Sequence, residues 1–301
     1  MTNPAAPHDF QPLRQPAPAI CRRELGQQLR RLREARSLRL EDAGAVLGVA
    51  PSTLSRIETG QAPTRTSYLH TLLNLYGHTD EDQRKHLAHL AREGQRKEWW
   101  HDYADLLPPG TGPYLSLEAA ASKICLYSLH AIPDLLQTDA YATAVIRASR
   151  PNLTKDQVSK LVAMTSRRQQ IVSDHGRQLH MILDESVLHR QITNGADMKD
   201  QLSRLYAAGI KSNATIQIAT LKRAWPALSC SFGILSFNGP ADEVVSRQSI
   251  GGQIISNHSH SEIRASRTAF DDLAGRSMPA AKSLDLIQAT KAKAPGNESD
   301  L

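Results

Sequence analysis

Leu40-Glu41-Asp42-Ala43-Gly44-Ala45-Val46-Leu47-Gly48-Val49-Ala50-Pro51-Ser52-Thr53-Leu54-Ser55-Arg56-Ile57-Glu58-Thr59-Gly60 reads as two short helices around a tight turn. The first helix ends at Leu47, and Gly48 supplies the positive φ that lets the chain turn sharply. Pro51 suits the first position of the second helix, where its missing N–H costs nothing. Leu54 and Ile57 are three apart and face inward, which leaves Ser52, Thr53, Ser55 and Arg56 facing out. A recognition helix that enters a major groove needs this arrangement.

The flanks extend the module to residues 21–78. Upstream, Leu25, Leu29 and Leu32 form one apolar stripe on a helix, which also carries Arg22, Arg23, Arg30, Arg31, Arg33 and Arg36, with Arg39 just beyond. Downstream, Leu69, Leu72, Leu73 and Tyr76 repeat the periodicity and Gly77 is a stop signal. Thr64-Arg65-Thr66 lies at the mouth of that last helix, where hydroxyls, an arginine and free backbone N–H groups suit a phosphate.

Leu29-Arg30-Arg31-Leu32-Arg33-Glu34-Ala35-Arg36-Ser37-Leu38, followed by the turn segment, resembles the Xre family of phage-repressor-type regulators. The resemblance implies that Glu58 is a buried acid paired with Arg33, a structural pair and not a DNA contact. It also implies that Pro51, Ser52, Thr53 and Arg56 occupy the base-reading positions. Arg56 stands out because a guanidinium can take guanine O6 and N7 together, worth roughly 1–3 kcal/mol of discrimination. The chain departs from the family at Ala50, where a Ser or Thr helix cap is usual; losing a cap costs ~1 kcal/mol. Leu40 stands where a Gln is usual and cannot make the phosphate hydrogen bond at that point. Phosphate contacts therefore fall to Arg39, Arg65 and Thr66, with Arg22 as a further candidate.

The chain has 301 residues, room for about two domains of ~100–200 residues each. A net charge of +6 favours a polyanionic partner. Cys21, Cys125 and Cys230 are far apart and form no CxxC, so neither a zinc ribbon nor a disulfide framework is indicated. Residues 1–20 are Pro- and Ala-rich without the apolar core of a signal peptide, and read as a disordered arm. No run approaches the ~18 apolar residues of a membrane span. These features imply a cytoplasmic, nucleoid-associated protein.

Residues 79–113 read as a helical linker and hinge. Leu87, Leu90, Ala91 and Gly94 share a helix face, Trp99-Trp100 closes the segment, and Leu107-Pro108-Pro109-Gly110-Thr111-Gly112-Pro113 breaks regular structure. Beyond it, residues 114–291 alternate between strand and helix patterns, and 292–301 read as a disordered tail. Strands are expected at 122–131, 178–184, 214–221, 230–237 and 243–250. Helices are expected at 138–149, from the Thr154/Gln157 capping box onward, around Met198, Leu202 and Leu205, and at 262–274 and 280–291. The fold class is thus an all-α helix-turn-helix DNA-binding domain followed by a mixed α/β C-terminal domain.

Trp99-Trp100, Leu117-Glu118-Ala119, Ile132-Pro133-Asp134-Leu135-Leu136-Gln137-Thr138-Asp139-Ala140-Tyr141-Ala142 and Leu183-Asp184-Glu185-Ser186-Val187-Leu188-His189-Arg190 resemble the C-terminal domain of actinobacterial, streptomycete WhiJ-type regulators. That resemblance implies an antitoxin-like transcriptional regulator, often paired with a small protein encoded nearby. The chain departs from that pattern at Asp134, Ser246, Gln248 and the loop 220–226, which places Trp225 near a candidate effector or partner pocket.

Catalytic motifs are missing: there is no GxSxG, HExxH or Walker loop. His86 and His89 lack a third ligand, and Asp184-Glu185 and Asp271-Asp272 are neighbours that point apart. No catalytic residue, metal or cofactor is expected. The leading reading is a sequence-specific regulator that binds a double-stranded operator as a homodimer and controls development or specialised metabolism. Its C-terminal domain would take a small partner protein or a small-molecule effector. The alternatives are an antitoxin-type protein that mainly sequesters a small partner and regulates its own expression, and an α/β enzyme with a DNA-binding head.

Overall fold

The computed structural model describes residues 17–174, 176–221, 230–237, 243–249, 252–256 and 260–294. The chain divides into two units, 1–96 and 97–301. The first is helical: α1 (Pro18–Ala35), α2 (Leu40–Leu47), α3 (Pro51–Glu58), α4 (Thr66–Leu75) and α5 (Glu81–Gly94). Leu25 and Leu29 of α1, Leu54 and Ile57 of α3, Leu69, Leu72 and Leu73 of α4, and Leu87 and Leu90 of α5 meet in one core. Helix α1 crosses close to the end of α3 at Gly26. A Cβ there would stand 2.5 Å from the carbonyl oxygens of both Ile57 and Glu58, so the approach requires glycine. Gly48 ends α2 at φ 66, as the turn demands.

Two boundaries differ from the sequence reading. Helix α1 starts at Pro18, and Ala19 is buried, so residues 18–20 belong to the core and not to a disordered arm. Proline at the first helical position loses no hydrogen bond there. The division between units falls at Arg96/Lys97, not at 107–113. The apolar stripe of α5 completes the first core, so this helix is not a linker. The Pro/Gly run lies inside the second unit. Gly110, at φ 75, introduces α6 (Thr111–Ala120), and Pro113 falls in its first turn, where no intrahelical N–H is needed. The tryptophans pack within this unit: Trp100 Nε1 donates to Ser116 Oγ (2.7 Å), and its ring leaves room for no side chain at Gly112.

The second unit continues with β1 (Lys123–Ser128), α7 (Asp139–Ser149), α8 (Lys155–Asp174), β2 (Gln178–Asp184), α9 (Ser186–His189), α10 (Gly195–Gly209) and β3 (Ala214–Ala219). Then come β4 (Phe232–Ser236), β5 (Glu243–Ser249), β6 (Gly252–Ser256), α11 (His260–Arg276) and α12 (Ala280–Lys293). The sheet order is β3-β2-β1-β4-β5-β6. Strands β1, β2 and β3 are parallel, while β4, β5 and β6 run antiparallel to their neighbours. Crossover helices join the parallel strands, while β4, β5 and β6 are consecutive antiparallel neighbours and β4 pairs with β1 across the intervening elements. On one face, Cys125, Tyr127, Ile182, Phe232, Ile234 and Val245 pack under Phe270 and Leu273 of α11. Along β3, α12 is tied to the strand by Ser283 Oγ, which accepts the Ile218 N–H (3.0 Å). Strand β6 and helix α6 are additions to the sequence reading, and the Thr154–Gln157 capping box forms as read.

A second buried arginine system lies in this unit. Arg168 of α8 donates from Nε and Nη2 to the two carboxylate oxygens of Glu118 (both 2.9 Å) and from Nη1 to Asp134 (2.6 Å). Tyr114 O–H donates to the same Glu118 (2.9 Å). With its guanidinium desolvated, Arg168 stays charged because two carboxylates face it. No described helix is long and apolar enough to cross a membrane.

Candidate nucleic-acid interface

Helix α3 presents its residues as the spacing requires. Leu54 and Ile57 are 0% and 2% exposed, and Glu58 is also buried. Pro51, Ser52 and Arg56 are exposed, while Thr53 and Ser55 are half-buried. Arg56 lies back along the helix, its Nε donating weakly to Ser52 O (3.4 Å), so its guanidinium stays beside the first turn. Ala50 precedes the helix and provides no side-chain cap; Thr53 N–H reaches Ala50 O instead (2.9 Å). With proline at the first position, the Ser52 N–H is left for an outside acceptor.

Helix α3 is held from behind by Arg33. Its Nε and Nη2 donate to Glu58 Oε1 (2.7 Å) and Oε2 (2.9 Å), and its Nη1 donates to Leu38 O (2.7 Å). The bidentate bond to Glu58 raises the affinity of Arg33 for its proton. This pair is structural: it bolts α1 to the end of α3 and sets the angle at which α3 leaves the core.

Two other helix starts carry exposed cations. Arg39 precedes α2, and its backbone N–H donates to Asp42 Oδ2 (2.9 Å), which leaves its side chain free to extend. The exposed Glu41 beside it opposes a phosphate, so Arg39 offsets a local negative charge. Arg65 precedes α4 and lies over the Tyr68 ring, 5.5 Å from its centroid, a cation–π contact that restricts the guanidinium near the helix mouth. No side chain caps α4, and Thr66 and Ser67 are exposed there. Uncapped N–H groups, a helix dipole and a guanidinium together suit a phosphate oxygen.

The arginine-rich α1 is used differently from the sequence reading. Arg22 is buried, with Nη1 donating to Gly94 O (3.0 Å) and Nε to Gly60 O (3.4 Å), so it cannot reach a phosphate. Arg23 is buried as well. Arg36 donates from Nε to Tyr76 O (2.7 Å), and Arg30 pairs with Glu34 (2.7 Å). Several of these arginines satisfy the orphan carbonyls at the ends of neighbouring helices, where a positive charge is also favoured by the dipole. Thr64 is likewise turned inward, its carbonyl accepting from Gln95 Nε2 (2.8 Å). Of the residues singled out for DNA, Arg39, Ser52, Arg56, Arg65 and Thr66 are exposed, with Pro51 and Thr53 at the start of α3; Arg31 on α1 is exposed as well.

Elsewhere, His86 Nε2 lies 3.2 Å from Glu24 on the exposed surface. Cys21 is buried and its thiol is pushed up to about 11, chiefly by desolvation, so it is unreactive. Trp225 lies outside the described residues.

Residues 24–87 match a family described as a helix-turn-helix domain, which spans α1 to the middle of α5. None of the curated proteins matches the chain. Residues 111–289 match a family described as a domain of unknown function (DUF5753), which takes in α6 and the sheet with its helices. The first unit therefore has the architecture of a DNA-binding regulator, and the chain as a whole belongs to the DUF5753 family, whose domain follows its helix-turn-helix domain.

Proposed function

We propose that the protein is a sequence-specific transcriptional regulator of the Xre type, with α3 as its recognition helix. The observation that carries this reading is the split of α3 into a buried face locked by Arg33–Glu58 and an exposed face offering Ser52 and Arg56. On duplex DNA, Arg56 reads a guanine, and Ser52 and Thr53 contact neighbouring base edges. Arg39, Arg65 and Thr66 hold phosphates and set the register. The protein acts as a homodimer, which places two recognition helices ~34 Å apart on a palindromic operator.

The second unit serves regulation, not catalysis, and receives a small partner protein or a small-molecule effector. In this reading the protein is an antitoxin-like, WhiJ-type regulator of development or specialised metabolism in an actinobacterium, and works in the cytoplasm on the nucleoid. Selecting bound fragments from the source genome tests the reading. A recurring motif with two half-sites one duplex turn apart supports it; recovery of fragments without any shared motif overturns it.

A further inference from the structure

The second unit contains an open groove of about 370 Å³ between α9, the N-terminal half of α10 and the C-terminal half of α12. Its volume lies within the range of small-molecule sites, ~300–1,000 Å³. The floor is apolar: Leu188, Met198, Leu202 and Leu286 line it, and the first three are buried. Two exposed cations stand at its rim, Arg190 at the end of α9 and Lys293 at the end of α12. Neither makes an ion pair among the described residues. Glu185, also on the lining, accepts the Leu221 N–H (2.9 Å) and keeps its negative charge, so two cations face one carboxylate there.

We propose that this groove binds a small amphipathic carboxylate, a ligand with an apolar body of medium-chain length and one anionic end. The aliphatic floor removes the apolar body from water, which is favourable in proportion to the area covered. Arg190 and Lys293 meet the carboxylate at the mouth, the guanidinium being shaped to take both oxygens. A neutral ligand would gain the floor but leave the cations unused, and a bare inorganic anion would gain the cations but leave the floor wet. Both halves of the site are used together only by a ligand that is apolar at one end and charged at the other. Helix α12, which lines the groove, also packs against strand β3 and helix α10. Any consequence at an operator rests on the proposed function, but the binding itself does not.

Isothermal titration of the full chain, without DNA, with sodium octanoate and with its neutral counterpart octanamide tests the site. Octanoate is expected to bind saturably at one site per chain. Replacing both cations, Arg190→Gln with Lys293→Gln, should weaken octanoate about tenfold or more while octanamide changes by less than about twofold. Ala289→Trp, on an exposed position of α12 that lines the groove, should abolish both without lowering the melting temperature. Octanoate binding that fails to saturate at millimolar concentration, that survives Ala289→Trp, or that ignores the loss of both cations overturns the proposal.

Discussion

Each unit buries one arginine against one glutamate, yet the two systems are built for different ends. In the first unit, Arg33 meets Glu58 with one further bond to Leu38 O, and joins two helices whose angle presents α3. In the second, Arg168 meets Glu118 and Asp134 together, and Tyr114 adds a third hydrogen bond to Glu118. The first is a bolt with a single orientation to set. The second is a network that ties α6, α8 and the 3₁₀ turn at Asp134–Leu136 into one block. Buried ion pairs are weak evidence for stability, because desolvation offsets their attraction; breaking one is costly, because a charge is left without its partner. The difference between the two should therefore appear in what their loss disturbs.

The largest expected effect is on stability. Glu118→Ala leaves Arg168 facing only Asp134, at a cost of about 3–5 kcal/mol, and hydrogen exchange should show lost protection within residues 97–294. Glu58→Ala should cost a comparable ~3–5 kcal/mol, because Arg33 is then left with only the neutral Leu38 carbonyl as its buried partner. Its loss of protection should centre on α1 and α3. Equal effects of both substitutions on both units would break the comparison. Next, Gly26→Ala should destabilise the first unit by about 1–3 kcal/mol or more, since its Cβ meets backbone that cannot rotate away. A variant as stable as the parent would show that α1 and α3 are not in close contact.

Smaller effects sharpen the functional side. Arg65→Ala should weaken binding to all duplex sequences alike and reduce the salt slope by ~1, as one phosphate contact is lost. Arg22→Gln should leave that slope unchanged, since Arg22 is buried on helix-end carbonyls. The smallest expected effect concerns pH. Burial, first among its causes, holds the His180 imidazole below its ordinary value of 6.5, with Gln217 accepting from its ring and Lys123, Arg267 and Asp271 nearby. A histidine with a depressed folded pKa binds fewer protons folded than unfolded. Its contribution is complete above pH 6.5 and is lost as pH falls below that value. Denaturant melts at descending pH should show that loss in the parent and a flatter profile in His180→Asn.

Helix α3 was readable because its signals are local, whereas the Arg33–Glu58 pair, 25 residues apart, came from the family resemblance. Gly48, Pro51 and the Leu54/Ile57 spacing lie within a few residues of one another, and helical periodicity alone decides which face is buried. Arg22 was not readable in the same way. Its partner, the Gly94 carbonyl, is 72 residues away, and an arginine that caps a distant helix looks in sequence like one that holds a phosphate. The unit boundary was misplaced for a related reason. Proline and glycine mark a break in most contexts, but Pro113 sits in the one turn of a helix that tolerates it. Sheet order depends on the pairing of β1 with β4, which brings Tyr127 beside Phe232 across an intervening run of helices and strands. No local pattern encodes that pairing. Strand β6 opens on Gly252, a residue that weakens the alternation by which strands are recognised. The groove near α12 combines residues from three separated elements and left no motif.

Sequence recognition in this proposal depends on the exposed face of α3 reading base edges. Parallel selection of bound duplexes with the parent chain and with Arg56→Ala tests it most directly. The variant should keep the half-site spacing but relax preference at one guanine per half-site, by about 1–3 kcal/mol. Identical motifs and affinities for the two proteins would contradict it.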